Sequence, residues 1–203
     1  MRRISLLALV TMFALLSLPV LSSAQAPESV ETPRFSVGDT WKYKNSYGKY
    51  TESVAEVQEG GSTVFHRSYE PNARFLADSD LVVRKIEGKL RRDANSYLNW
   101  QYIKFPAKPG LTFTYKVESV RRWVFEIEVK AAAWEEIEVP AGKFRALRME
   151  SCWTNTTTGW YGCDMKHWYA PEAKTFIKRQ TPSVWDEGLQ KMDFELDSFT
   201  PAK

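Results

Sequence analysis

The side chains able to do covalent, metal or acid–base chemistry are few in this chain. It holds two cysteines, Cys152 and Cys163, and two histidines, His66 and His167. The cysteines bracket the ten residues WTNTTTGWYG, too wide a spacing for a C-x-x-C redox pair. His167 is the local imidazole, and a zinc site needs more ligands than it and the two thiols provide. A two-residue turn at Thr157-Thr158 sets Cys152 opposite Cys163, Thr154 opposite Tyr161 and Ala146 opposite Tyr169. Opposed residues of an antiparallel pair have Cα atoms about 4.5–5.5 Å apart, within reach of a disulfide. The expectation is a structural Cys152–Cys163 disulfide, with free thiols or a redox pair as the alternatives.

Catalytic arrangements are hard to assemble from the rest. Neither histidine lies in an H-E-x-x-H or H-x-H pattern, and a catalytic zinc takes three protein ligands. No G-x-S-x-G elbow presents a serine. His167, between Lys166 and Trp168, reads as a surface or packed residue of a strand. Carboxylates gather at Glu135, Glu136 and Glu138, and at Asp78 and Asp80. A glycosidase needs two carboxylates converging across a cleft, whereas such runs ordinarily form a solvated face. Asp78-Ser79-Asp80 opens like a calcium loop but lacks its glycine and closing glutamate. Gly60-Gly61 leads into a strand rather than a helix N-terminus, so it cradles no phosphate. Asn155-Thr156-Thr157 fits a glycosylation sequon, relevant only in a eukaryotic secretory pathway. No catalytic, metal or cofactor residue is assigned.

The aromatic residues are the remaining candidates for function. The chain has 203 residues, 43% of them hydrophobic and 14% aromatic, which excludes wholesale disorder. Trp153, Trp160, Tyr161, Trp168 and Tyr169 crowd the cysteine hairpin, while Trp41, Tyr97, Trp100 and Tyr102 lie elsewhere. They either line an apolar cavity or binding patch, or simply pack a curled sheet. A net charge of +3 with scattered basic residues does not suit a nucleic-acid partner.

The elements that must position these residues are strands. Trp41 and Tyr43 alternate with Lys42 and Lys44. Tyr50–Gln58 runs to a hairpin signal at Glu59-Gly60-Gly61-Ser62, from which Thr63–Tyr69 returns. Leu81–Glu87 and Lys89–Arg92 flank Gly88 as another expected hairpin. Leu111, Phe113, Tyr115 and Val117 alternate with polar residues, and after a turn near Arg121-Arg122 so do Phe125, Ile127 and Val129. That period of two marks half-buried antiparallel strands. Ile137–Val139, Phe144–Trp153, Trp160–Tyr169, Thr175–Gln180 and Lys191–Phe199 continue the series. Ala131–Glu136 has helix propensity but lies between strong strands, and is read as strand. No apolar pattern of helical period persists. The expected fold is all-β: a single domain over residues 35–200, a strongly curved antiparallel sheet forming a barrel or half-barrel.

The N-terminus reads as an address. Arg2 and Arg3 precede the uncharged stretch Ile4–Ser23, and Ser22-Ser23-Ala24 offers small residues for cleavage before Gln25. Residues 1–24 are therefore expected to be a secretory signal peptide, followed by a polar, Pro-containing flexible leader at 25–34. Cleavage removes two arginines and takes the net charge from +3 to +1. No second apolar run of spanning length follows. The expected location is periplasmic or secreted, where a disulfide persists.

Several phrases occur together: Phe35-Ser-Val-Gly-Asp-Thr-Trp41, Lys108-Pro109-Gly110 within Phe105–Phe113, Val139-Pro140-Ala141-Gly142-Lys143-Phe144, Trp168-Tyr169-Ala170-Pro171-Glu172, Ile177-Lys178-Arg179 and Phe194-Glu195-Leu196. In this order the chain resembles the DUF3108-like exported bacterial β-rich proteins, a group without established function. The resemblance spans roughly residues 35–200 and implies a curved antiparallel sheet of the kind used by periplasmic lipid carriers. It brings no catalytic residues. The expectation is an exported, non-enzymatic protein that binds an apolar or amphipathic small molecule such as lipid. The alternatives are an envelope module binding protein or polysaccharide, and a hydrolase with an unrecognised carboxylate pair.

Overall fold

The computed structural model describes residues 29–119, 122–182 and 193–202. The expected signal peptide, the first residues of the leader, Arg121 of the expected turn and the Lys191-Met192 start of the last expected strand lie outside them.

Eleven antiparallel strands form one sheet. Along the chain they are β1 (Thr40–Asn45), β2 (Gly48–Val57), β3 (Thr63–Arg67), β4 (Ala73–Ala77), β5 (Val83–Gly88), β6 (Thr112–Glu118), β7 (Val124–Val139), β8 (Gly142–Asn155), β9 (Tyr161–Ala170), β10 (Thr175–Gln180) and β11 (Phe194–Thr200). Their order across the sheet is β5-β4-β3-β2-β1-β11-β10-β9-β8-β7-β6. Two meanders, β1–β5 and β6–β11, thus run outward in opposite directions and meet where β11 pairs with β1. The sheet is curled but not closed, with β5 and β6 at its edges: a single all-β domain.

The alternation seen in sequence explains which strand faces look inward. In β1, Trp41 and Tyr43 are buried while Lys42 and Lys44 are exposed. In β7, Ile127 and Val129 are buried between exposed Glu126, Glu128 and Lys130. Ala131–Glu136 is strand, continuous with the rest of β7. Register shifts at Lys42/Tyr43, Val54/Glu56, Ala131/Ala133, Ser151/Trp153 and Phe176/Lys178 each place an extra residue in the ladder. Such bulges bend a strand and increase its twist, which curls this sheet.

Several expectations need correction. Lys89–Arg92 is not a strand. β5 pairs instead with β4, a strand of five residues whose inward face carries one large side chain, Phe75, between Ala73 and Ala77. Gly88 is the strand end facing Ala73, with φ of 93°, and a Cβ there would overlap the Asn72 carbonyl oxygen. The β8–β9 connection is a four-residue loop, Thr156–Gly159. Asn155 and Trp160 close it, and the Asn155 Oδ1 accepts the amides of Thr157 (2.9 Å) and Thr158 (3.1 Å). Asn155 is fully buried in that role, so the sequon is not presented. Thr154 does face Tyr161, but a bulge then shifts the register and Leu147, not Ala146, opposes Tyr169. The extra residue is Asp164, at φ of 68°.

Residues 89–111 cross from the β5 edge to the β6 edge as a strap, with a single 3-10 turn at Ala94–Ser96. Two carboxylates pin it. Glu70, almost wholly buried, accepts the Arg91 amide (2.8 Å) and the Tyr97 hydroxyl (2.9 Å). Asp80 accepts the Phe105 amide (2.8 Å) and the Gln101 side-chain amide (3.2 Å). Buried carboxylates need such donors. Ile103 and Ala107 of the strap are fully buried in a core cluster with Ile127, Val129, Leu147 and Tyr169. Val30, within the stretch read as leader, joins that cluster and pairs with Ala107 through both backbone hydrogen bonds, 2.7 and 2.8 Å. A second cluster gathers Trp41, Phe75, Trp168, Ile177 and Leu196. No helix among the described residues is long and apolar enough to cross a membrane.

Candidate functional site

Between the strap and the inner faces of β1–β3, β9 and β10 lies a cavity of about 370 Å³. Trp41, Tyr97, Trp100 and Tyr102, singled out from sequence, all line it, together with Tyr43, Tyr50 and Tyr69. The tyrosines form a connected wall. Tyr43 stacks on Tyr50 at 5.1 Å, Tyr50 meets Tyr69 edge-on at 5.3 Å, and Tyr69 leans on Tyr97 at 6.3 Å. Alternation places them there: Tyr43 follows Trp41 on the inward face of β1, and Tyr50 lies across from it on β2. Tyr47, Gly48, Lys49, Arg92 and Ser96 are the lining residues that reach solvent.

Two polar groups sit among these rings. Glu52 and Arg67 oppose each other across β2 and β3, with Nε 3.1 Å from Oε1. The guanidinium carbon stands 4.4 Å from the centre of the Phe75 ring. Burial works against the Arg67 charge, but Glu52 and the neighbouring tyrosines outweigh it and hold the proton more firmly than usual. Burial is also what raises the phenols: Tyr69 is pushed up to about 12, Tyr50 higher still, and Tyr43 well above its ordinary value. At neutral pH these hydroxyls keep their protons and can donate hydrogen bonds.

A second polar group is built by β9 and β10. His167 opposes Arg179 in register. Its ring stacks on Tyr102 at 4.2 Å and meets Phe176 edge-on at 5.5 Å. Only 3% exposed, His167 is kept neutral by burial and then by the charge of Arg179. The Arg179 side chain is 10% exposed, and its nearest acid oxygen, on Asp193, is 3.8 Å away. Asp193 is engaged elsewhere, accepting the Thr181 amide (2.9 Å) and hydroxyl (2.6 Å). A further lining cation, Lys174, is neutralised by Asp39 at 2.7 Å. Burial works to raise the Asp39 carboxyl, but Lys174 and the amides of Ala202 and Ser36 hold it below its ordinary value.

The other expected chemistry is dispersed. Glu135 accepts from Arg148 and from the Trp168 indole (2.7 Å), on the sheet's other face. Glu136 and Glu138 are exposed beside Arg145 and Lys143. Asp78 caps its own loop through the amides of Asp80 and Val82, both 3.0 Å. His66 is exposed. Among the described residues no group of three or more His, Cys, Asp or Glu could hold a metal ion. Among the described residues lining the cavity there is one carboxylate, Glu52, and their arrangement suits binding by hydrogen-bond donors and ring faces.

Cys152 and Cys163 face each other at the Asp164 bulge, with Cα atoms 4.0 Å apart and sulfurs at disulfide distance. The Tyr161 hydroxyl donates to the Cys163 sulfur at 3.0 Å. Beside them Trp153 packs edge-on to Phe125 and Trp160, at 5.4 and 4.9 Å. Trp160 and Tyr161 remain 56% and 60% exposed. Trp168 and Tyr169 are core residues of the two clusters.

No protein-family model and no curated protein matches the chain. Among solved structures, a candidate lipoprotein of Parabacteroides distasonis superposes with a TM-score of 0.43 and 12% identity, over 86% of this chain and 100% of that one. A candidate exported protein with YmcC-like fold from Bacteroides fragilis does so with a TM-score of 0.40 and 13% identity, over the same 86% and 100%.

Proposed function

We propose that this is an exported, non-enzymatic protein, of the DUF3108-like kind, that holds an apolar or amphipathic small molecule in the concavity of its sheet. The observation carrying this reading is the cavity. At about 370 Å³ it falls in the range of small-ligand sites, which are mostly apolar with a few placed polar groups. Its aromatic rings wall a space instead of filling it. Export is supported by the charged, apolar and small-residue regions of the N-terminus and by the cysteine pair at disulfide distance. The shared phrases fall on structural joints: Pro140-Ala141 turns β7 into β8, and Pro171–Lys174 turns β9 into β10. An envelope-interaction module is the second reading, favoured by the exposed Trp160 and Tyr161.

The test is native mass spectrometry of protein purified from its own envelope, alongside titration with N-phenyl-1-naphthylamine, an uncharged apolar fluorophore. A co-purifying lipid or saturable one-to-one uptake of the fluorophore is expected. Absence of both, in folded protein, overturns the reading.

A further inference from the structure

The cations lining the cavity are unequally paired. Arg67 has Glu52 at 3.1 Å, and Lys174 has Asp39 at 2.7 Å. Arg179 is different. Its side chain is nine-tenths buried, its Nε, like that of Arg67, makes no hydrogen bond among the described residues, and its closest acid among them, Asp193, stands farther off at 3.8 Å while serving Thr181. A buried cation without a close partner is strongly disfavoured, and a buried unsatisfied donor calls for an explanation. Arg179 sits on the cavity wall, directly across from His167, with Tyr102 stacked on that imidazole. The charge of Arg179 is felt by both neighbours, and among the described residues lining the cavity Glu52 is the one acid.

We infer that the cavity takes an anionic single-chain amphiphile, its carboxylate received by Arg179 beside His167 and Tyr102 and its apolar chain laid along the tyrosine wall. A planar guanidinium matches a carboxylate with two parallel hydrogen bonds. Neutral His167 and the protonated Tyr102 hydroxyl add donors without adding charge. Phe176, edge-on to His167 at 5.5 Å and to Tyr102 at 6.2 Å, makes the adjoining surface apolar. The bound carboxylate supplies a closer counter-charge than Asp193 at 3.8 Å. This inference rests on the cavity being a ligand site, and adds the charge and class of the ligand.

The experiment is displacement of N-phenyl-1-naphthylamine by three C12 compounds: dodecanoate, dodecanol and dodecyltrimethylammonium. Dodecanoate is expected to compete about tenfold better than dodecanol, since a hydrogen bond to a charged group outweighs a neutral one, and the cation worst. Arg179→Gln should abolish the acid's advantage over dodecanol, while Arg179→Lys retains part of it. Equal competition by acid and alcohol in the native protein overturns the assignment, as does an advantage that survives Arg179→Gln. The acid–alcohol–cation ranking needs no variant, so it decides the matter even if Arg179→Gln does not fold. Acetate and inorganic phosphate are expected not to displace the fluorophore; displacement by either at the concentration of dodecanoate would make this a small-anion site and overturn the amphiphile. If neither the fluorophore nor dodecanol binds, the ligand-site reading itself falls.

Discussion

The hairpin joining β8 and β9 and the wall of the cavity use the same kinds of residue under different constraints. At the hairpin, Phe125, Trp153 and Trp160 pack on one another edge to face, with Trp160 and Tyr161 facing solvent. The rings there shield a cysteine pair. At the cavity, the rings of Tyr43, Tyr50, Tyr69 and Tyr97 surround Arg67 and Glu52, and Tyr102 covers His167. Phe125 and Trp153 also rest on the core cluster of Ile127 and Val129, so these rings extend that core towards the sheet tip. Rings that enclose charge leave space beside it, because a guanidinium and a carboxylate must keep their approach geometry. Aromatic content alone therefore does not locate a site; polar groups buried among the rings do.

That contrast can be broken at three points. The largest effect belongs to the cavity's ion pair. Glu52→Ala leaves part-buried Arg67 without its partner and should cost about 3–4 kcal/mol, the lower part of the range for removing one member of a buried pair. Urea unfolding measures it, and a loss no larger than that of an exposed-residue variant would show that the pair is not a high-stakes feature. At the hairpin, Cys152→Ser with Cys163→Ser should cost about 3 kcal/mol if the bond is formed, the value expected for so short a closed loop. Adding reductant to the native protein should reproduce that loss. An unchanged midpoint, or free thiols in peptides mapped without reduction, would show that the hairpin depends on its rings alone.

The smallest effect is the pH response of His167. Its folded pKa lies well below the ordinary 6.5, from burial first and Arg179 second. Below 6.5 the unfolded chain binds a proton that the folded one does not, so stability falls as the pH drops towards the folded value. It is constant above. The slope should be about 1.4 kcal/mol per pH unit. Asp39, held low, loses its contribution only below its ordinary 3.8, outside this window. In His167→Phe the slope between pH 6.5 and 5 should vanish; persistence would assign it to other groups.

Much of the fold was legible because alternation survives wherever the inward residues are large. Phe113, Tyr115 and Val117 in β6, or Ile127 and Val129 in β7, declare their strands. In β4 a single large inward residue, Phe75, lies between Ala73 and Ala77, too short a pattern to declare the strand. Gly88 reads as a turn in sequence, yet it is a strand residue whose missing side chain admits the Asn72 carbonyl. The site was half legible. Trp41, Tyr97, Trp100 and Tyr102 were marked as aromatics without a location. Glu52 lies in phase with Tyr50 and Val54, and Arg67 with Phe65, so charges on a buried face were there to be read. Arg179 was not: the bulge at Phe176/Lys178 reverses the parity of β10, and only coordinates turn Arg179 towards His167.

The strap has a mechanical consequence. Residues 89–111 run from one free edge of the sheet to the other, held near one end by Glu70 and towards the other by Asp80. They act as a bowstring across a bent bow. The string's length fixes the curvature, so the open half-barrel cannot flatten without first breaking those anchors. The cavity under the string meets solvent at the rim formed by Tyr47, Gly48, Lys49, Arg92 and Ser96.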